Sequence, residues 1–122
     1  MTSAVITKSV STIEPVQLED GSKVTNIDLG PCIVSVIDVK SGWRWSKHVK
    51  PKVNTESCQK EHRGYLVSGK MVVHMDGEAE PVAFEGGTAF HIPAGHDGWC
   101  EEDGVMIEFT NKDETPYAVK SG

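Results

Sequence analysis

Two stretches of the chain concentrate residue types that bind metals or move protons: Glu56-Ser57-Cys58-Gln59-Lys60-Glu61-His62 and His91-Ile92-Pro93-Ala94-Gly95-His96-Asp97-Gly98-Trp99. Four of the five histidines fall between His62 and His96. Glu56, Cys58 and His62 share a parity, so on an unbroken strand all three side chains face the same way. Carboxylate, thiolate and imidazole are the donor types that hold zinc or iron. The same residues also read as a solvated turn that carries Glu56 outward and buries Cys58 as a small apolar side chain. His48, His74 and His91 are expected to be partly exposed or hydrogen-bonded rather than ligands. Trp43, Trp45 and Trp99 read as core packing, or as an aromatic wall for a planar ligand. Ser57-x-x-Lys60 matches a nucleophile pattern that needs a helix in a larger fold, so it is set aside, and Cys100 reads as structural.

The elements that must carry these residues are strands. Cys32–Val39 is β-branched and apolar on both parities, as in a strand buried on both faces. Val105–Thr110 is read with Val105, Ile107 and Phe109 inward against a more polar face. Trp43–Val49 alternates two tryptophans and a valine against Arg44, Ser46 and His48, and Met71–Met75 is a further short apolar run. Asp20-Gly21, Gly30-Pro31, Ser41-Gly42, Ser68-Gly69, Asp76-Gly77, Gly86-Gly87 and Asp103-Gly104 punctuate the chain as turns, which leaves room for strands of about 5 to 8 residues. With no amphipathic helical run between them, the pattern predicts an all-β sandwich or barrel.

At 122 residues the chain is one domain, 1–122, large enough to bury its own core. Its 12 basic against 18 acidic residues give a net charge of −6, a poor footing for phosphate, so no nucleic-acid partner is expected. No apolar run is long enough to span a membrane and the first residues lack a secretory pattern, so a cytoplasmic location is expected. Cys32, Cys58 and Cys100 are odd in number and form no CxxC pair, which suits neither a disulfide framework nor a structural zinc knuckle.

The second half resembles a small cupin of the stand-alone bacterial type, a jelly-roll barrel. Gly87, five residues, then Pro93-Ala94-Gly95 follows the family's second motif, and Tyr65-Leu66-Val67-Ser68-Gly69 is similar to the turn that closes its first. Counting back from Gly69 by the family spacing lands on His62, Cys58 and Glu56 where the family has Glu, His and His. The second-motif histidine is His96, directly after Gly95 rather than three residues on, and Lys50 stands at the first glycine of the first motif. The likeness covers about two thirds of the chain, with a motif-bearing core at about 33–109.

The resemblance implies an all-β, cupin-type jelly-roll barrel with little helix. It also implies a divalent metal held by Cys58, His62 and His96, with Glu56 as a fourth ligand or as a catalytic base beside the ion. Zinc is the first expectation from the thiolate, with iron or nickel as alternatives. Three ligands would leave a tetrahedral ion one open position, as catalytic sites do. Such a protein acts on a small organic molecule as an oxygenase, isomerase, lyase or cyclase, or recognises one as a binding or sensory module. A homodimer is expected, from the likeness and from the apolar segment Ala4–Ile6, which could pair with a neighbouring sheet edge.

Overall fold

Seven antiparallel strands form the architecture of the computed structural model, which describes residues 5–53 and 55–111. They are β1 (Val16–Gln17), β2 (Lys23–Asp28), β3 (Cys32–Val39), β4 (His62–Met75), β5 (Val82–Glu85), β6 (Thr88–Ile92) and β7 (His96–Asn111). The sheet order is β1-β2-β3-β7-β4-β5, and β6 also pairs with β4. Among the described residues helix is confined to α1 (Trp45–His48) and two short 3-10 turns, Val10–Thr12 and Lys50–Lys52. The fold is the expected all-β barrel.

Strand lengths depart from expectation for a definite reason. Asp20-Gly21, Gly30-Pro31, Ser41-Gly42 and Asp76-Gly77 do lie between elements, but Ser68-Gly69 and Asp103-Gly104 lie inside strands. β4 therefore runs for 14 residues and β7 for 16. Their ladder extends from Gly64↔Glu108 to Met75↔His96, with register shifts between Leu66 and Met71. On the other edge of β4, β6 pairs with His62–Leu66 and β5 with Lys70–Val73. Gly86-Gly87 joins β5 to β6 where Gly86 N–H donates to the Gly69 carbonyl and Gly87 N–H to that of Leu66. β5 and β6 thus act as one bent strand, and three neighbouring strands change direction at the same level.

Glycine is required there by close backbone approach. A Cβ on Gly104 would sit 2.0 Å from the Ser68 carbonyl oxygen, and one on Gly69, whose φ is +92°, would sit 2.7 Å from that of Glu102. Gly86 faces Ser68 Cα at 2.8 Å in the same way.

Two sequence expectations are corrected. Trp43–Val49 is not a strand: Arg44 makes one bridge to Trp99, and the chain then turns into α1. Local bonds favour the turn, because the Asp97 carboxylate accepts from Ser46 N–H at 3.0 Å and His48 Nδ1 accepts from Arg44 N–H at 3.1 Å. Trp43 and Trp45 are both buried regardless. In β7 the inward parity is the reverse of that expected, with Met106, Glu108 and Thr110 buried and Phe109 exposed. Outside, Ile107 and Phe109 lie beside Val36 and Val34 of β3, and Ile107 beside Tyr65 of β4. Apolar residues therefore line both faces of this ladder, and parity alone could not tell which faced in.

The core is built from Val24, Ile37, Val39, Trp43, Trp45, Leu66, Met71, Cys100 and Met106, with Cys58 at its edge. Replacing Gly104 by Ala is expected to destabilise the protein by at least about 2 kcal/mol, because backbone must move at the bend. Gly77→Ala, in a turn where a Cβ meets nothing within 4 Å, is expected to cost only about 1 kcal/mol, from its left-handed backbone. Urea unfolding of both variants beside the parent measures the difference.

Candidate metal centre

His62 opens β4 and His96 opens β7, at opposite ends of the ladder these strands share. Were that ladder straight, its ends would lie about 40 Å apart at ~3.3 Å per residue. The bend closes this distance, and the two imidazole rings meet edge to face with centroids 5.1 Å apart. Cys58 arrives from a segment that is not strand. Its N–H donates to the His96 carbonyl and its own carbonyl accepts from Gly95 N–H, both at 2.7 Å.

Cys58, His62 and His96 are all buried, and their donor atoms lie within 4.8 Å of one another. Cys58 Sγ is 3.5 Å from His62 Nε2. At ordinary zinc–sulfur and zinc–nitrogen lengths, two donors on a tetrahedral ion are about 3.5 Å apart, so the pair fits without rearrangement. Each imidazole is oriented from behind. His62 Nδ1–H donates to Glu108 Oε1 at 2.7 Å, and His96 Nδ1–H donates to the Pro93 carbonyl at 2.7 Å. In both rings Nε2 is thereby left as the nitrogen available to a metal, the arrangement that buried metal sites use to fix a tautomer.

The electrostatics suit an ionised thiol. Burial opposes charge on Cys58, but hydrogen bonds from His62 and His96 and the positive charge of His62 outweigh it and bring the thiol down to about 6. Burial likewise opposes charge on His62, yet the Glu108 carboxylate, with hydrogen bonds to Cys58 and Glu108, raises it to about 9. Without a metal, the proton shared by thiol and imidazole rests on His62. Cys100 behaves oppositely, its burial and the nearby Asp103 pushing it up to about 11.

The cluster faces a cavity of about 50 Å³. That is room for roughly four waters. Cys58, His62, His96 and Glu108 form its polar end, and Ile37, Val39, Trp45, Met71, Phe84 and Met106 stand among its apolar walls.

Of the four residues singled out in the sequence, three converge here and Glu56 does not. Its side chain is 92% exposed and its carboxylate pairs with Lys50 Nζ at 3.0 Å. The parity argument required a strand through residues 56–62, whereas strand begins only at His62. His48 and His74 are half-buried on local backbone partners, and His91 pairs with Glu61 on the surface. Parity places Glu108 on a polar outer face, whereas the structure buries it against His62. Its signal in the sequence is a single carboxylate between Ile107 and Phe109 in an otherwise apolar strand.

No protein-family model matches the chain, and no curated protein does. Solved structures do resemble it. An RmlC-like cupin from Shewanella frigidimarina is 17% identical with a TM-score of 0.61, over 85% of this chain and 87% of that one. The polyketide cyclase RemF from Streptomyces resistomycificus is 11% identical with a TM-score of 0.63, over 92% and 82%. An oxalate decarboxylase from B. subtilis is 14% identical with a TM-score of 0.67, over 95% of this chain but 32% of the decarboxylase. The bent strands, the barrel they close and these likenesses make this chain a small protein of the cupin fold.

Proposed function

We propose that the chain is a small metal-dependent cupin that binds a divalent ion through Cys58, His62 and His96 and acts on a small organic molecule in the adjoining cavity. The carrying observation is the convergence of three buried donors at the wall of that cavity. Zinc is the ion best suited to one thiolate and two imidazoles, with iron or nickel next. A bound ion would supply Lewis acidity at its open position, the chemistry used by oxygenases, isomerases, lyases and cyclases on this kind of scaffold. Cys58 supplies negative charge to the centre, Glu108 and Pro93 aim the imidazoles, and the apolar walls exclude bulk water. This reading leaves Glu56 out of the ligand set and out of the chemistry, because its side chain is exposed and paired with Lys50. The solved cupins that include a decarboxylase and a cyclase support an enzyme.

Elemental analysis of untagged protein tests the reading, with about one zinc or iron per chain expected. Folded Cys58→Ser and His96→Ala variants should lose it and Glu56→Ala should keep it. A wild-type protein that stays metal-free after reconstitution under reducing conditions would leave a small-molecule binding module.

Proton release gives an independent check. Above about pH 6 Cys58 is already a thiolate, whereas His62 keeps its proton until about pH 9. Zinc uptake at pH 7.5 should therefore release about one proton per chain, and occupancy should fall as the pH drops through 6 and the thiol regains its proton. Calorimetry in buffers of different ionisation enthalpy counts the protons.

We also propose that the chain is a homodimer. Val5 and Ile6 are 79% and 51% exposed, and Tyr65, Val67 and Phe109 stand on the outer face of β4 and β7; Ala4 lies outside the described residues. Sedimentation at micromolar concentration should give twice the 13.3 kDa chain mass, and a monomer would refute this.

A further inference from the structure

We propose that the cavity selects a neutral small molecule, with one donor atom and an apolar body, and disfavours carboxylates, because Glu108, on the Nδ1 side of His62, adds a second negative charge to that of Cys58. The inference rests on the metal reading above and names the ligand class of that site.

Charge is the deciding quantity. Cys58 as thiolate and Glu108 as carboxylate together match the two positive charges of a divalent ion, and His62 and His96 add none when they act as ligands. Glu108 is 3% exposed and lines the cavity together with the three donors. Among the described residues no lysine or arginine lines it. The nearby cations are engaged elsewhere: Lys50 on Glu56, Arg44 on Asp97 and the face of Trp99, and Arg63 on Glu61. Lys60 Nζ reaches Thr110 Oγ1 at 3.5 Å, one inward position along β7 from Glu108, and does not line the cavity.

A carboxylate entering this space would make a neutral centre negative, in walls with no compensating cation, and buried charge without a partner is costly. A centre with only one anionic side chain would instead be positive and would attract carboxylates. The apolar walls reward a hydrocarbon body, and the small cavity limits its size.

The test uses the full chain loaded with cobalt(II), whose visible absorption reports each ligand that reaches the ion. Pyrazole serves as the neutral probe, acetate and oxalate as the anions. Wild-type protein is expected to bind pyrazole at least about a hundredfold more tightly than either anion. Glu108→Gln and Cys58→His each remove one negative charge, and each should tighten acetate by about tenfold, narrowing the preference for pyrazole. A wild type that binds acetate or oxalate as tightly as pyrazole overturns the inference, whether or not either variant folds. So do folded variants whose acetate affinity equals the parent's, since a purely structural Glu108 predicts that result. A wild-type protein that takes up no cobalt, shown by missing sulfur-to-cobalt absorption, overturns the metal reading and this inference with it.

Discussion

The close approach of three strand backbones at Gly69, Gly86 and Gly104 is the constraint on which the rest of the structure depends. A β-ladder keeps its ends as far apart as its length dictates unless something bends it. Here β4 and β7 share one long ladder, and the residues of chemical interest stand at its two extremities. By bending at one level, the three strands bring those extremities together without breaking hydrogen-bonded continuity. Side chains at these points would hold the backbones apart, so the smallest residue is a geometric requirement and only indirectly a matter of turn preference.

Once the ends meet, the donors must still be aimed. A buried imidazole has two nitrogens, and the partner of one decides the availability of the other. Glu108 does this for His62 from the neighbouring strand, and the Pro93 carbonyl does it for His96 from three residues upstream. The third donor, Cys58, depends on neither device. Its backbone hydrogen bonds to the Gly95-His96 junction fix it, so the thiol is positioned by the same few peptide groups that begin β7. The donors are thus tied to one another, His62 to β7 through Glu108 and Cys58 to His96 through their peptide groups.

Much of this was readable from the residues. The β-branched run of Cys32–Val39, the absence of helical periodicity and the spacing of Pro93-Ala94-Gly95 from Gly87 led to an all-β barrel, and the spacing back from Gly69 reached Cys58 and His62. Where the reading failed, it failed on three-dimensional information. A Ser-Gly or Asp-Gly step within a bent strand has the same local chemistry as one in a turn, so the sequence alone reads Ser68-Gly69 and Asp103-Gly104 as chain reversals. The parity of Glu56 with Cys58 had meaning only along a strand that is not there. Glu108 escaped notice because sequence pattern places charge outside, and its reason for being inside, the Nδ1–H of His62, lies 46 positions earlier in the chain.

The inward Glu108 also exposes this architecture to a particular kind of error. Ile107 and Phe109 could pack a hydrophobic interior as readily as Met106, so the hydrophobic effect does little to distinguish β7 from itself displaced by one residue. Such a slip would put two apolar side chains inside and send the carboxylate out to water. What opposes it is the close approach of Gly104 to the Ser68 carbonyl and the pairing of Gly64 with Glu108, where only glycine leaves room for the facing strand. A single-residue deletion between Gly104 and Glu108 would therefore preserve a foldable β-pattern while erasing the polar end of the cavity, which makes alignment of the strands, more than their composition, the guardian of the site.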